Sequence, residues 1–116
     1  MWQRAHSLAL QIYAVTRHFP RDEQYGLTSQ LRRAGVSVPA NIAEGFQKRS
    51  PLDKACFLNI SQGSLDECRY YLILAHDLGY MNKNELWDLS NDVARLLTRY
   101  RQAILMTVTP HSDDES

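Results

Sequence analysis

Six side chains of the segment 30–48 recur at helical spacing along the edge of an apolar stripe: Gln30, Ser37, Asn41, Glu44 and Lys48, with Arg33 just behind. Intervals near three, four and seven put such residues on one side of a helix. A carboxylate near a guanidinium has the elements of base catalysis on an anionic substrate, Glu44 taking the proton and Arg33 holding the charge. The same residues have a structural reading, in which Asn41 and Glu44 satisfy backbone groups freed by Pro39, or bridge helices and subunits. No histidine, cysteine or serine is tied to Ser37, Asn41 and Glu44 by a recognisable catalytic spacing. The structural reading of this polar seam is therefore preferred, no catalytic residue is assigned, and the chain is expected not to be an enzyme.

Other chemistry has less support. The four histidines, at 6, 18, 76 and 111, show no ligand spacing, and the Glu-x-x-His pairs of di-iron bundles are absent, so neither a metal nor a cofactor is expected. There is no glycine-rich phosphate loop and no Cys-x-x-Cys, and no small-molecule substrate suggests itself. Cys56 and Cys68 are twelve residues apart on one expected helix, roughly 18 Å along its axis, too far to pair. Reduced thiols, no targeting segment and no apolar run of membrane-spanning length point to the cytoplasm.

The basic residues are the remaining functional clue. Arg32, Arg33, Lys48 and Arg49 flank the second apolar stretch, and Arg95, Arg99 and Arg101 mark the last one. Asp88 and Asp92 precede Arg95 and Arg99 on nearly the same face, which is ordinary pairing within a helix. Arg32 and Arg33 have no acidic residue within four positions. These two, with Lys48 and Arg49, are the candidate nucleic-acid contacts, against the alternative of a solvated face.

These side chains need positioning elements, and the chain has room for one set. Its 116 residues, 44% apolar and 22% charged, suit a single domain, since two halves would each bury too little. The formal net charge of zero excludes a uniformly basic nucleic-acid-coating protein. It hides an asymmetry: residues 1–49 carry seven basic and three acidic groups, residues 50–116 six and ten. Opposite halves invite self-association. Three of the acids lie in the tail, residues 109–116, which reads as disordered and leaves the 1–108 body at +3.

Apolar residues recur at three and four, and no sustained alternation marks a strand, so all four elements read as helix. The first spans about 2–18 and is stopped by Pro20. The second spans about 27–47, with Leu27, Leu31, Ala34, Val38 and Ile42 as its stripe and Pro39 inside it, which predicts a kink or two short helices meeting near Val38. The third opens at Ser50-Pro51-Leu52-Asp53 and stops at Gly79-Tyr80, the pattern of a serine cap and a left-handed glycine stop. The fourth starts at a capping box, Asn82 to Glu85, and frays near Thr109-Pro110. Short links between such helices predict an all-α, antiparallel up-down-up-down four-helix bundle with a proline break in the second helix.

The third helix is apolar over about 160°, wider than the roughly 100° a bundle needs. Phe57, Ile60, Tyr71, Leu74 and Leu78 lie in or beside this surplus, which predicts a second packing surface and a homo-oligomer. The alternative is that aromatic edges overhang the core.

The run Leu27-Thr-Ser-Gln-Leu-Arg-Arg-Ala-Gly-Val-Ser-Val-Pro-Ala-Asn-Ile-Ala-Glu-Gly45, followed by Gly63-Ser-Leu-Asp-Glu67 and Ala75-His-Asp-Leu-Gly-Tyr80, resembles the 23S rRNA intervening-sequence protein family over about residues 5 to 105. The resemblance implies a left-handed antiparallel four-helix bundle assembled as a homopentameric ring. It also implies kinship with the accessory variability determinant of diversity-generating retroelements, whose ring engages a reverse transcriptase and nucleic acid through basic surfaces. The family motif falls on Arg32, Arg33, Ser37, Pro39, Asn41 and Glu44. The chain departs from it at Gly35, where alanine is usual, at Val38 for isoleucine and at Ala40 for serine. The expected role is a non-enzymatic scaffold whose partners are its own copies and RNA or a nucleic-acid-processing protein. The alternative is a purely protein-protein interaction module.

Overall fold

The computed structural model describes residues 1–108 apart from Lys83 and the side chain of Asn84. Among these residues the structure is all-α, with no strand: α1 is Trp2–Thr16, a single 3-10 turn covers Arg21–Glu23, α2 is Leu27–Phe46, α3 is Pro51–Asp77 and α4 is Asn84–Leu105. The acidic tail and the fraying at Thr109-Pro110 lie outside the described residues, as does part of the capping box at 82–85. The two short dimensions, 25 and 23 Å, fit four helices in a square with axes 8–10 Å apart.

α1 buries Ala5, Leu8, Ala9 and Ile12 on one stripe. It ends two residues before the expected His18, and its last residue, Thr16, turns its hydroxyl back to the Ile12 carbonyl at 2.7 Å. The amides of His18 and Phe19 then bond carbonyls only three residues earlier, at 3.2 and 3.1 Å, and that tightening leads into Pro20.

α2 runs as one helix through Pro39, and no interruption separates two short helices. The physical reason lies in the balance of terms. A proline inside a helix costs about 3 kcal/mol. Leu31, Val38 and Ile42 are fully buried on this helix, and each side chain contributes about 1.5–3 kcal/mol. Pro39 removes the helical donor of the Gly35 carbonyl; nearer the proline, Asn41 Nδ2 bonds the Ser37 carbonyl at 2.9 Å, and Ser61 Oγ bonds that of Val38 at 2.8 Å, which ties α2 to α3. Gly35 brings α2 close to α1, since a Cβ there would stand 2.8 Å from Ile12 Cδ1. The absence of a side chain at 35 thus leaves room for Ile12.

Both ends of α3 follow their local chemistry. Ser50 Oγ accepts the Asp53 amide at 3.4 Å with Pro51 in the first turn. At the far end Gly79 takes φ of +80°, the Tyr80 amide bonds the Ala75 carbonyl at 2.9 Å and the Gly79 amide that of His76 at 3.0 Å. This is the paired closure that a left-handed stop residue permits. The Tyr80 ring folds back onto Phe19 with centroids 5.5 Å apart.

Helices that are neighbours in the chain pack together, and α1 meets α4. Along the α2–α3 seam the contacts pair Ser37 with Ser64, Val38 with Ser61 and Gly45 with Phe57, so one number rises as the other falls. The core between the helices is aliphatic: Leu8, Ile12, Leu31, Ile42, Leu58, Leu65, Leu72, Val93 and Leu97 are all essentially inaccessible to water.

Candidate functional site

The polar seam is divided by the structure. Ser37 Oγ lies 2.7 Å from Ser64 Oγ on α3, and Asn41 Nδ2 donates to Ser37 Oγ at 2.9 Å as well as to its carbonyl. These groups form a connected network across α2 and α3, with Ser61 one step further in, and such satisfied networks fix the register of a packed pair. Glu44 stands apart from it. It is exposed and pairs with Lys48 Nζ at 3.6 Å one turn on, so it does not meet Asn41 in a closed pocket. Arg33 is exposed on the other half of α2. The carboxylate and guanidinium that catalysis would require together are eleven positions apart, roughly 16 Å along the helix.

The four candidate nucleic-acid contacts form two separate pairs. Arg32 and Arg33 sit near the start of α2; Lys48 and Arg49 follow its end, roughly 24 Å further along the helix direction. Arg32 is half-buried and held in place. Its Nε donates to Thr16 Oγ1 at 2.8 Å, and its guanidinium carbon lies 4.7 Å from the centre of the Tyr13 ring. Arg33 has no hydrogen bond or ion pair among the described residues. Both arginines line a shallow groove of about 410 Å³ between α1 and α2, bordered also by Tyr13 and Tyr25. Lys48 packs over Phe57 at 5.0 Å and pairs with Glu44, whereas Arg49 is exposed.

On α3 the surplus apolar arc is covered unevenly. Tyr71 and Leu74 are half-buried and pack against the core, and Phe57 is half-buried under Lys48. Ile60 and Leu78 remain 46% and 49% exposed, and Tyr70, at the margin, 58%. Glu67 is exposed on the same side of the helix, so the outward stripe carries a charge in its middle. A second apolar surface opens elsewhere. Trp2, Phe46, Leu96, Tyr100 and Ala103 line a cleft of about 480 Å³, in which Phe46 and Tyr100 stack obliquely at 5.5 Å.

Several tertiary ties are invisible in the sequence pattern. Tyr80 donates to Glu23 Oε2 at 2.8 Å, and Glu23 Oε1 accepts the Leu27 amide at 3.2 Å, so one carboxylate joins the α1–α2 and α3–α4 links. The hydrogen bond to Glu23, with burial and the nearby Asp22 charge, raises the Tyr80 hydroxyl above its ordinary pKa. Arg69 stacks on Trp87 at 4.7 Å and donates to Asn91 at 2.6 Å, tying α3 to α4. Cys68 is buried, and burial, with Glu67 beside it, pushes its thiol up to about 12, which makes it a poor nucleophile; Cys56 is exposed. Among the described residues no three His, Cys, Asp or Glu side chains gather as a metal-ligand set, and no helix is long and apolar enough to cross a membrane.

These features define a class: small all-helical proteins in which four helices share one aliphatic core, with exposed arginines and aromatic rings on the outside. Within that class the chain belongs to the 23S rRNA-intervening sequence protein family, whose model matches residues 1–100. A solved structure from Bacteroides thetaiotaomicron VPI-5482, a protein of unknown function from the S23 ribosomal protein family, is similar with a TM-score of 0.80. The two are 23% identical, over 86% of this chain and 96% of that one, a likeness that speaks for the fold. No curated protein matches the chain significantly.

Proposed function

We propose that the chain is a non-enzymatic, cytoplasmic scaffold subunit, an antiparallel up-down-up-down bundle that assembles into a homo-oligomeric ring and binds RNA. The observation that carries this reading is the uncovered side of α3. Ile60 and Leu78 stand about half in water on a helix whose opposite side already fills the core. A ring contact using Phe57, Ile60, Tyr71, Leu74 and Leu78 removes that cost, and five copies is the number we propose, in keeping with the ring that the sequence resemblance implies. Repetition around a ring multiplies the modest positive patch of Arg32 and Arg33. RNA is the favoured ligand because Arg33 and Arg49 are exposed cations, and because the family takes its name from an rRNA insertion.

A mass measurement by multi-angle light scattering at micromolar concentration tests the assembly. Five copies are expected for the native chain, and a smaller species for Ile60→Asp with Leu78→Asp. A monomeric native protein overturns the ring. RNA binding is tested by titration across a salt series, where affinity falls steeply with added salt and weakens when Arg32 and Arg33 become alanine.

One observation favours a second reading, a module that binds only protein. The cleft of Trp2, Phe46 and Tyr100 is apolar and open, and such clefts suit an apolar anchor of a protein partner. On that reading no salt-dependent RNA affinity appears at all.

A further inference from the structure

The groove between α1 and the start of α2 differs from an ordinary basic patch in its aromatic content. Tyr25 is 89% exposed, so both faces of its ring are in water just ahead of α2. Tyr13, Gln24, Thr28, Ser29, Arg32 and Arg33 complete the groove around it. Electrostatic attraction to phosphates needs only the arginines. A freely wetted tyrosine beside them adds a flat apolar surface, and a nucleobase has a matching one.

Arg32 is prepared for such a ligand. The Thr16 hydroxyl donates to the Ile12 carbonyl and accepts from Arg32 Nε, so each group is satisfied and the guanidinium is fixed against Tyr13. No other hydrogen bond of Arg32 occurs among the described residues, and the donors on its terminal nitrogens remain for an incoming group. A guanidinium already ordered loses little further freedom on binding. Arg33, next in the chain and exposed, supplies a second cation for a phosphate. Gln24 and Ser29 add amide and hydroxyl groups that can meet a base edge.

We infer that this groove is a binding site for single-stranded RNA, with an unpaired base stacked on Tyr25 and its flanking phosphates held by Arg32 and Arg33. The inference rests on the RNA-binding reading above and narrows it. Bases within a duplex are stacked on one another and offer no free face to Tyr25, whereas an unpaired strand does. The acidic neighbours are accounted for in part: Glu23 is engaged by Tyr80 and the Leu27 amide, which leaves Asp22 as the exposed carboxylate beside the groove.

The test compares three probes of equal phosphate number at low salt: an oligouridine, an RNA duplex and an oligomer with abasic residues. The full native chain is expected to bind the oligouridine roughly tenfold more tightly than the other two. Tyr25→Ala is expected to bring oligouridine affinity down to that of the abasic oligomer, while Tyr25→Phe keeps it. Because Tyr25 is so exposed, the variants retain the fold, which circular dichroism checks. Equal binding of all three probes, or a Tyr25→Ala protein indistinguishable from native, overturns the stacking site. If salt-sensitive binding survives in either case, the broader RNA reading stands; if no probe binds, both fall.

Discussion

The two ends of the helical assembly are closed in different ways. At one end Phe19, Glu23, Leu27 and Tyr80 meet and are tied together: Tyr80 donates to Glu23, and Glu23 receives the Leu27 amide. At the other, roughly 28 Å away along α2, Trp2, Phe46 and Tyr100 surround an open cleft. Phe19 is 8% exposed and Phe46 41%, although both are phenylalanines packed on a tyrosine. The first end uses its aromatic rings to hold two links together. The second keeps them in reach of another molecule, and a comparable side chain has different consequences at each.

That contrast is most exposed by truncation. Phe19→Ala is expected to lower unfolding stability by about 3–5 kcal/mol, and Phe46→Ala by about 1–2 kcal/mol, read from urea midpoints. Equal losses would mean that the open cleft is covered in the protein's own assembly. A smaller effect tests the polar side of the closed end through pH. The Tyr80 hydroxyl is raised above 10 in the folded chain, chiefly by its bond to Glu23, so the protonated form is the one that folding favours. Its contribution is fully present below pH 10 and is lost as pH rises through the raised value. The stability gap between native protein and Tyr80→Phe is therefore expected to shrink in that alkaline window; a gap independent of pH would show that the bond carries nothing. The smallest change comes towards the open end, where Glu44→Gln breaks an exposed pair with Lys48. We expect a loss of at most about 0.5 kcal/mol, removed by salt.

Local rules in the sequence sufficed wherever the determinant was local. Ser50 and Pro51 begin α3 and Gly79 ends it, since capping involves only a few adjacent residues. Pro39 predicts a kink or two short helices, and the helix is not divided, because the proline's cost is local while the burial of α2 by its flanking helices is not. The surplus arc of α3 was legible as periodicity, yet only packing separates Tyr71 and Leu74, against the core, from Ile60 and Leu78 outside. In the candidate site, the pairing of Arg32 with Arg33 was legible as charge without nearby acids. The groove that includes Tyr13 and Tyr25 was not, because α1 contributes one wall and sequence spacing says nothing of how two helices meet. Tyr25 gave no periodic signal, standing in a link between elements.

The threonine at the end of α1 also fixes the reach of Arg32, so one hydroxyl on the first helix sets the location of a charge on the next. Removing that one hydroxyl, as in Thr16→Val, would leave the guanidinium without its seat, with every core leucine untouched. Relatives that lack a hydroxyl at this position are thus expected to differ in ligand preference while sharing one architecture.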